Sequence, residues 1–332
     1  MKWRQDMNIS KIIGGNHGLP IQVAGKTIKN LSKTTLINAR SCLHSVMNYL
    51  DMPTIWMPSY LCESLLYPAY DVKFYDVDKS LTINESFLSQ TSPSEVVLVI
   101  DYFGFTQDQS IYDKIRQKKC TSIEDASQSL LSERHGSADF TIYSLTKCLG
   151  LPDGGMIESR DPSFKVETVP PPLDFIKSAF GYRKKRAEFD RGENIDWYSS
   201  YLNHKKLTVP VGPFAMSNLS KSLYESYDQF DILQKTRDNY AILQQHLTPI
   251  KNLEEGVVPI GFAMLHKNRD KLLQRLIENK IYPPIHWTLR QVPKRFSDSY
   301  WMSEREITIP CDHRYNKDDM ARIIKCVKTL YS

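Results

Sequence analysis

The sequence predicts an α/β protein: a mostly parallel sheet with helices on both faces, followed by a smaller C-terminal α+β unit. Three observations lead there. Short, nearly continuous Val/Ile runs recur, and residues 96–100 (Val-Val-Leu-Val-Ile) are the purest. A strand buried on both faces carries such an unbroken run. Stretches with helical spacing of apolar residues separate these runs, which is how a parallel sheet becomes covered. The length, 332 residues, exceeds what one small core organises and suits two domains.

The elements follow in order. Residues 1–30 hold the breakers Gly14-Gly15 and Gly18-Leu-Pro20 and are expected to be irregular. From Ser41, the residues Leu43, Val46, Met47 and Leu50 share a helical face, and Asp51-Met-Pro53 ends that helix. Residues 54–57 read as a strand, 63–68 as helical, 72–77 and 96–100 as strands, 110–119 as a helix, and 121–124 and 140–143 as strands. Pro170-Pro-Pro172 and the basic run Arg183-Lys-Lys-Arg186 mark 160–215 as an excursion from the core. The basic run is expected on a solvated loop; its alternative role is a clamp on a substrate diphosphate. Residues 218–247 read as one long helix or two with a kink, striped by Leu223, Tyr227, Phe230, Leu233 and Tyr240. A strand near 257–264, a helix at 268–280, a strand at 307–309 and a helix at 317–330 complete the small unit. The division is expected between a large domain, 1–235, and a small domain, 236–332.

Bulk properties exclude several classes. Apolar content (41%) and charged content (24%) are those of an ordinary soluble globular protein. A net charge of +5 hints at anionic ligands but is far from the basic stripe of a nucleic-acid binder. The cysteines, at 42, 62, 120, 148, 311 and 326, form no Cys-x-x-Cys pair, and the histidines show no ligand spacing. No metal and no disulfide framework are expected, and a reducing cytoplasm is the expected location. The opening Met1-Lys-Trp-Arg-Gln-Asp6 lacks the apolar stretch of a signal peptide, and no run approaches the ~20 apolar residues of a membrane span.

The chemistry concentrates between 121 and 155. The run Thr121-Ser-Ile-Glu-Asp125-Ala-Ser-Gln128 ends an apolar strand in an acidic pair. A second strand follows, then Ser144, Lys147 and the turn Leu151-Pro-Asp-Gly154-Gly155. A lysine is nucleophilic only when part of its population is neutral, and it then captures an aldehyde covalently. Pyridoxal 5'-phosphate needs such an amine. It also needs a carboxylate that keeps its ring nitrogen protonated, so that the ring accepts electrons. Asp125 is the candidate carboxylate and Lys147 the candidate amine. Gln128 would donate to the ring's 3-oxygen. The phosphate calls for a helix N-terminus, which Arg40-Ser41-Cys42 opens, with the Ser144 hydroxyl adding to it. Taken singly, each residue has a mundane explanation: a solvated lysine, a helix-capping aspartate, an ordinary glycine turn. Glu124 reads as a structural neighbour of Asp125, and Cys148 as packing. The order of the set carries the reading.

At these residues the sequence resembles the DegT/StrS family of pyridoxal-phosphate enzymes, mostly nucleotide-sugar aminotransferases. Ile123-Glu-Asp-Ala-Ser-Gln128 is similar to the family's acidic motif, and Ser144-Leu-Thr-Lys147 with Asp153-Gly-Gly155 to its lysine motif. Arg40-Ser-Cys-Leu43 is similar to its phosphate-binding helix start, and Met57-Pro-Ser-Tyr-Leu-Cys62 to a segment that places a ring over the cofactor. Weaker similarity returns at Met216-Ser-Asn-Leu219 and Ile307-Thr-Ile-Pro310. The resemblance covers about two thirds of the chain. It implies an aspartate-aminotransferase-like (fold type I) architecture and a homodimer with sites at the subunit interface. It also implies cofactor contacts from Lys147, Asp125, Gln128, Ser41, Cys42 and Ser144. The ring-stacking position falls on Cys62, with Tyr60 as its substitute. The family's Asn-Tyr-Arg stretch, which reaches the neighbouring subunit's phosphate, is replaced by Gly212-Pro-Phe-Ala215.

The implied reaction moves an amino group from an amino acid, glutamate foremost, to a keto-sugar nucleotide, with Lys147 as general base. Amino-sugar and surface-polysaccharide or glycoside synthesis is the setting. Two alternatives stand beside it. One is a dehydratase with the same cofactor, a role in which some relatives replace the lysine with histidine. The other is a non-catalytic protein of this fold that binds a sugar nucleotide or a regulatory partner. His286 and Trp287 either line the pocket or pack a corner of the small domain.

Overall fold

A computed structural model of the chain describes residues 11–20, 25–32, 34–134 and 137–329. Its elements in chain order are β1 (Ile13–Gly14), β2 (Thr34–Leu36), α1 (Ala39–Tyr49), β3 (Ile55–Pro58), β4 (Val72–Tyr75), β5 (Val96–Ile100), α2 (Gln109–Gln117), β6 (Thr121–Asp125), β7 (Phe140–Ser144), α3 (Leu145–Leu149) and β8 (Gly155–Ser159). Then come α4 (Leu173–Asp190), α5 (Trp197–Lys205), α6 (Asn218–Glu225), α7 (Gln229–Gln244), β9 (Phe262–Leu265), α8 (Arg269–Glu278), β10 (Ile281–Tyr282), α9 (Ser297–Ser303), β11 (Glu306–Ile309) and α10 (Lys317–Lys328).

Seven strands form the main sheet in the order β2-β8-β7-β6-β5-β3-β4. The neighbours β7, β6, β5, β3 and β4 run parallel, and β8 runs antiparallel between β7 and β2. The unbroken apolar run of β5 is buried at every residue, as a central parallel strand requires. Helix α1 starts where Asn38 accepts the Ser41 N–H at 2.9 Å, and its apolar stripe of Leu43, Val46 and Met47 is buried against the sheet. Towards the C-terminus, β9 and β11 pair antiparallel, and α8 and α10 pack beside them. One apolar cluster joins this unit to the sheet, running from Val96–Ile100 to Phe262, Ile307 and Ile323.

Several expectations need correction. The turn at Gly154-Gly155 opens a strand, β8, and β2 was not anticipated at all. Lys147 sits on the short helix α3. Residues 63–68 give only a single 3-10 turn, Glu63–Leu65. The strand expected near 257–264 begins later, at Phe262. The long stretch 218–247 breaks at 226–228 into α6 and α7. The last helix is described to Lys328; Leu330 lies outside the described residues. The basic run 183–186 is no solvated loop. It lies on α4, where Arg183 and Arg186 are buried and Lys184 is exposed. Arg186 Nε bonds Asp190 at 2.9 Å, its guanidinium lies 4.7 Å from the Trp197 ring centroid, and Arg183 Nη1 donates to the His17 carbonyl at 3.0 Å. These bonds hold the α4–α5 hairpin and the N-terminal segment together. Among the described residues no helix is long and apolar enough to cross a membrane, and no acidic, histidine or cysteine group could hold a metal.

Candidate active site

Because β3, β5, β6 and β7 run parallel, the loops that follow them open side by side at one edge of the sheet, where ligands bind in such folds. Strand β6 ends at Asp125, which stands in register with Ile142 of β7. Two residues on, β7 ends at Ser144 and α3 begins at once, with Lys147 at its middle. Gly150, at φ 63, stops α3 in the left-handed region that a side chain disfavours. Ser144 pairs with Gly155. A Cβ on Gly155 would come within 2.4 Å of the Asn38 carbonyl carbon and 2.7 Å of Cys42 Sγ. Only glycine lets the first turn of α1 sit this close to the strand. The result is a row of Cys42, Gly155, Ser144 and Asp125, with Lys147 just beyond it.

Each of these groups has defined surroundings. Asp125 is buried, and its Oδ1 accepts the Ser127 N–H at 2.9 Å. Among the described residues, Oδ2 receives no hydrogen bond. Burial, reinforced by the charge of Asp125, pushes the Cys42 thiol well above its usual range. Gln128 is 2% exposed. Its Oε1 accepts the Phe103 N–H at 2.7 Å, which fixes the amide orientation and leaves Nε2 buried without a partner. A buried unpaired donor costs roughly 1–3 kcal/mol, and this N–H is available to a ligand acceptor. Phe103 itself adopts φ 58, a strained conformation of the kind that gathers at functional sites. Lys147 is exposed and makes no hydrogen bond or ion pair among the described residues. Glu124, one residue from Asp125, points to the other face. It meets Arg134 Nη1 at 2.5 Å and the Thr141 hydroxyl at 2.9 Å, while Arg134 also reaches Asp101 at 3.2 Å. This pairing is structural, as expected. Cys148 lines a cavity of about 30 Å³, roughly water-sized, and serves packing.

The far end of the site is cationic. The Ala39 and Arg40 N–H groups open α1 and have no hydrogen-bond partner among the described residues, as the first turn of a helix dictates. The Arg40 guanidinium is half-buried beside Cys62 and has no hydrogen bond or ion pair among the described residues. Sequence reasoning used Arg40 only to mark a helix start. Its place in the first turn, two residues after the N-cap Asn38, was the available signal, because side chains there project towards any bound anion. Ser41 is fully buried; its N–H is taken by Asn38, and its hydroxyl accepts the Gly212 N–H at 3.3 Å. Residues 212–216 lie along β2, with Ile37 N bonded to Phe214 O at 2.9 Å and Met216 N to Thr35 O at 3.3 Å. Ser144 is buried, with Thr146 Oγ1 at 3.3 Å.

Tyr60 is a correction. It is fully buried, so it presents no free face on which a ligand ring could stack. Its hydroxyl donates to the His286 carbonyl, its own carbonyl accepts from Tyr102 at 2.5 Å, and its ring lies 5.4 Å from Trp287. Tyr60 therefore locks the segment that carries His286 and Trp287. Cys62, the other position the resemblance puts over the ring, is partly exposed and 3.1 Å from the Ser64 hydroxyl. His286 borders the site: its ring lies 5.8 Å from Phe103, and its cationic form is disfavoured by burial and by Lys147.

The set fits pyridoxal phosphate. It offers an unencumbered amine, a buried carboxylate with a free oxygen, an orphaned amide donor and a helix N-terminus with a free arginine. Comparison with known proteins agrees. The family model described as the DegT/DnrJ/EryC1/StrS aminotransferase family matches residues 62–328. A DegT DnrJ EryC1 StrS aminotransferase from Brucella abortus shares the fold (TM-score 0.64, 17% identity, covering 90% of this chain and 86% of that one). So does the Streptococcus pneumoniae protein Spr1654 in its PLP form (TM-score 0.62, 15% identity, 90% and 86%). Helicobacter pylori PseC, an aminotransferase involved in the biosynthesis of pseudoaminic acid, is similar at TM-score 0.61 and 15% identity over 89% and 85%. No curated protein sequence matches the chain. With four fifths of its length matched, the chain belongs to the DegT/DnrJ/EryC1/StrS aminotransferase family, and it is a pyridoxal-phosphate-dependent aminotransferase.

Proposed function

We propose that this enzyme transfers an amino group from an amino acid, glutamate foremost, to a keto-sugar carried on a nucleotide diphosphate. The observation that carries the reading is the convergence of Lys147, Asp125 and the free Gln128 N–H at one sheet edge in a member of an aminotransferase family. The mild positive charge supports a doubly anionic sugar substrate. When bound, the cofactor supplies an electron-accepting ring. Asp125 would hold a proton at the ring nitrogen and Gln128 would donate to the ring oxygen. Arg40 and the first N–H groups of α1, with Ser41, Cys42 and Ser144 around them, would take the phosphate. Lys147 would anchor the aldehyde and then move a proton at its ε-amine. In this reading residues 1–235 form the cofactor domain and 236–332 the small domain of a cytoplasmic homodimer.

The test is spectroscopic. Protein loaded with pyridoxal phosphate should develop a visible absorbance band that glutamate bleaches, and a panel of keto-sugar nucleotides should yield an amino-sugar by mass spectrometry. A band that no amino donor alters would favour the non-catalytic alternative. A second measurement addresses the phosphate end: Arg40→Ala should weaken pyridoxal phosphate about 10- to 100-fold, because a charge-assisted hydrogen bond contributes roughly 1.5–3 kcal/mol. Unchanged affinity by fluorescence titration would remove Arg40 from the site.

A further inference from the structure

Behind His286 lies a polar chain that the aminotransferase assignment does not use. Glu306 opens β11 and is fully buried. Its Oε2 accepts the His286 main-chain N–H at 2.6 Å, and its Oε1 accepts the Thr308 hydroxyl. The same Thr308 oxygen lies 2.8 Å from His286 Nδ1. One hydroxyl thus bridges a carboxyl group and an imidazole. The other ring nitrogen of His286, Nε2, is free of this chain, and the ring lies within electrostatic reach of the Lys147 amine.

We propose that Glu306 and Thr308 form a hydroxyl-bridged relay that sets which ring nitrogen of His286 carries the proton beside Lys147, making both positioning residues of the aminotransferase site. This rests on the aminotransferase reading for its catalytic consequence.

The proton count is closed. With Glu306 ionised, Thr308 donates to Oε1 and accepts from Nδ1–H, so Nε2 is bare and can accept a proton. With Glu306 protonated at Oε1, the carboxyl donates to Thr308 and Thr308 donates to Nδ1, so the ring proton sits on Nε2. The groups facing Glu306 are few. Thr308 lies on its own strand. Arg269 of α8 donates to the Glu306 carbonyl at 3.2 Å and pairs with Asp270 at 2.6 Å. His286 approaches from the 283–288 segment, and Tyr60 lies behind it. With little cationic compensation, burial pushes the Glu306 carboxyl up to about 8. Burial, helped by the Lys147 cation, holds His286 down to about 3. The ring therefore stays neutral while Glu306 titrates, and only its tautomer can change.

The test uses full-length protein without cofactor, labelled with ¹³C and ¹⁵N at its eight histidines, with the His286 ¹³Cδ2 shift followed between about pH 6 and about pH 10. The wild type should pass from the Nε2–H to the Nδ1–H tautomer with a midpoint near 8. Glu306→Gln should lock Nε2–H, because its amide must donate to Thr308. Thr308→Ser should keep the switch and Thr308→Val should lose it. Should the glutamine variant not fold, the threonine pair decides. A wild-type tautomer constant across this range, or an unchanged switch in Thr308→Val, overturns the proposal. The aminotransferase reading fails separately, by the absence of donor-dependent bleaching in loaded enzyme, and leaves the tautomer result standing.

Discussion

Lys147→Ala is expected to lower turnover by at least about 10³-fold, since one residue loses both the covalent attachment and the general base, and a base alone is worth about 10²–10⁴. The same substitution should leave stability within about 0.5 kcal/mol, as for other exposed positions. The two expectations separate because of where the side chain sits. Lys147 is exposed on α3 and makes no hydrogen bond or ion pair among the described residues. The helix is fixed by other means: Leu145 and Leu149 are buried, and Gly150 closes it. Borohydride reduction followed by mass spectrometry should show the cofactor on the wild type and none on the variant. Lys147→Arg should behave like alanine, since a guanidinium keeps its proton at any working pH. Retained turnover, or a cofactor adduct on another lysine, would end the assignment.

What was legible in the sequence followed from local physics. The β5 run, the α1 stripe and the acid at the end of β6 each depend on residues close together in the chain, and each stands where expected. The contrast between Asp125 and Glu124 was legible too, because alternation along a strand sends neighbours to opposite faces. Contacts between distant segments were hidden. Tyr60 reads as a free aromatic until Trp287 and the His286 carbonyl cover it. Arg183 and Arg186 read as solvated until α5 and the N-terminal segment close over α4. Strand β8 begins at a glycine pair, which in isolation signals a turn; it becomes a strand because β7 and β2, distant in sequence, pair with it on either side. The value of Gln128 could not be read from its spacing alone. It depends on Phe103 N–H consuming one end of the amide and leaving the other as a donor.

Asp125→Asn tests the other pole of the site. An asparagine can still accept the Ser127 N–H through its own oxygen, so the turn after β6 should survive and the fold with it. The negative charge is lost, and with it the hold on a ring-nitrogen proton. Turnover should therefore fall about 10²-fold or more, while the cofactor remains bound through Lys147, Gln128 and the α1 N-terminus. Cofactor retention makes the outcome diagnostic. If turnover falls and the cofactor stays bound, the carboxylate acts through its charge at this edge of the sheet. If turnover is undiminished, the charge is idle and another group holds the ring-nitrogen proton. Loss of cofactor along with activity would assign Asp125 to binding. Only the first pattern agrees with a carboxylate held against the ring nitrogen.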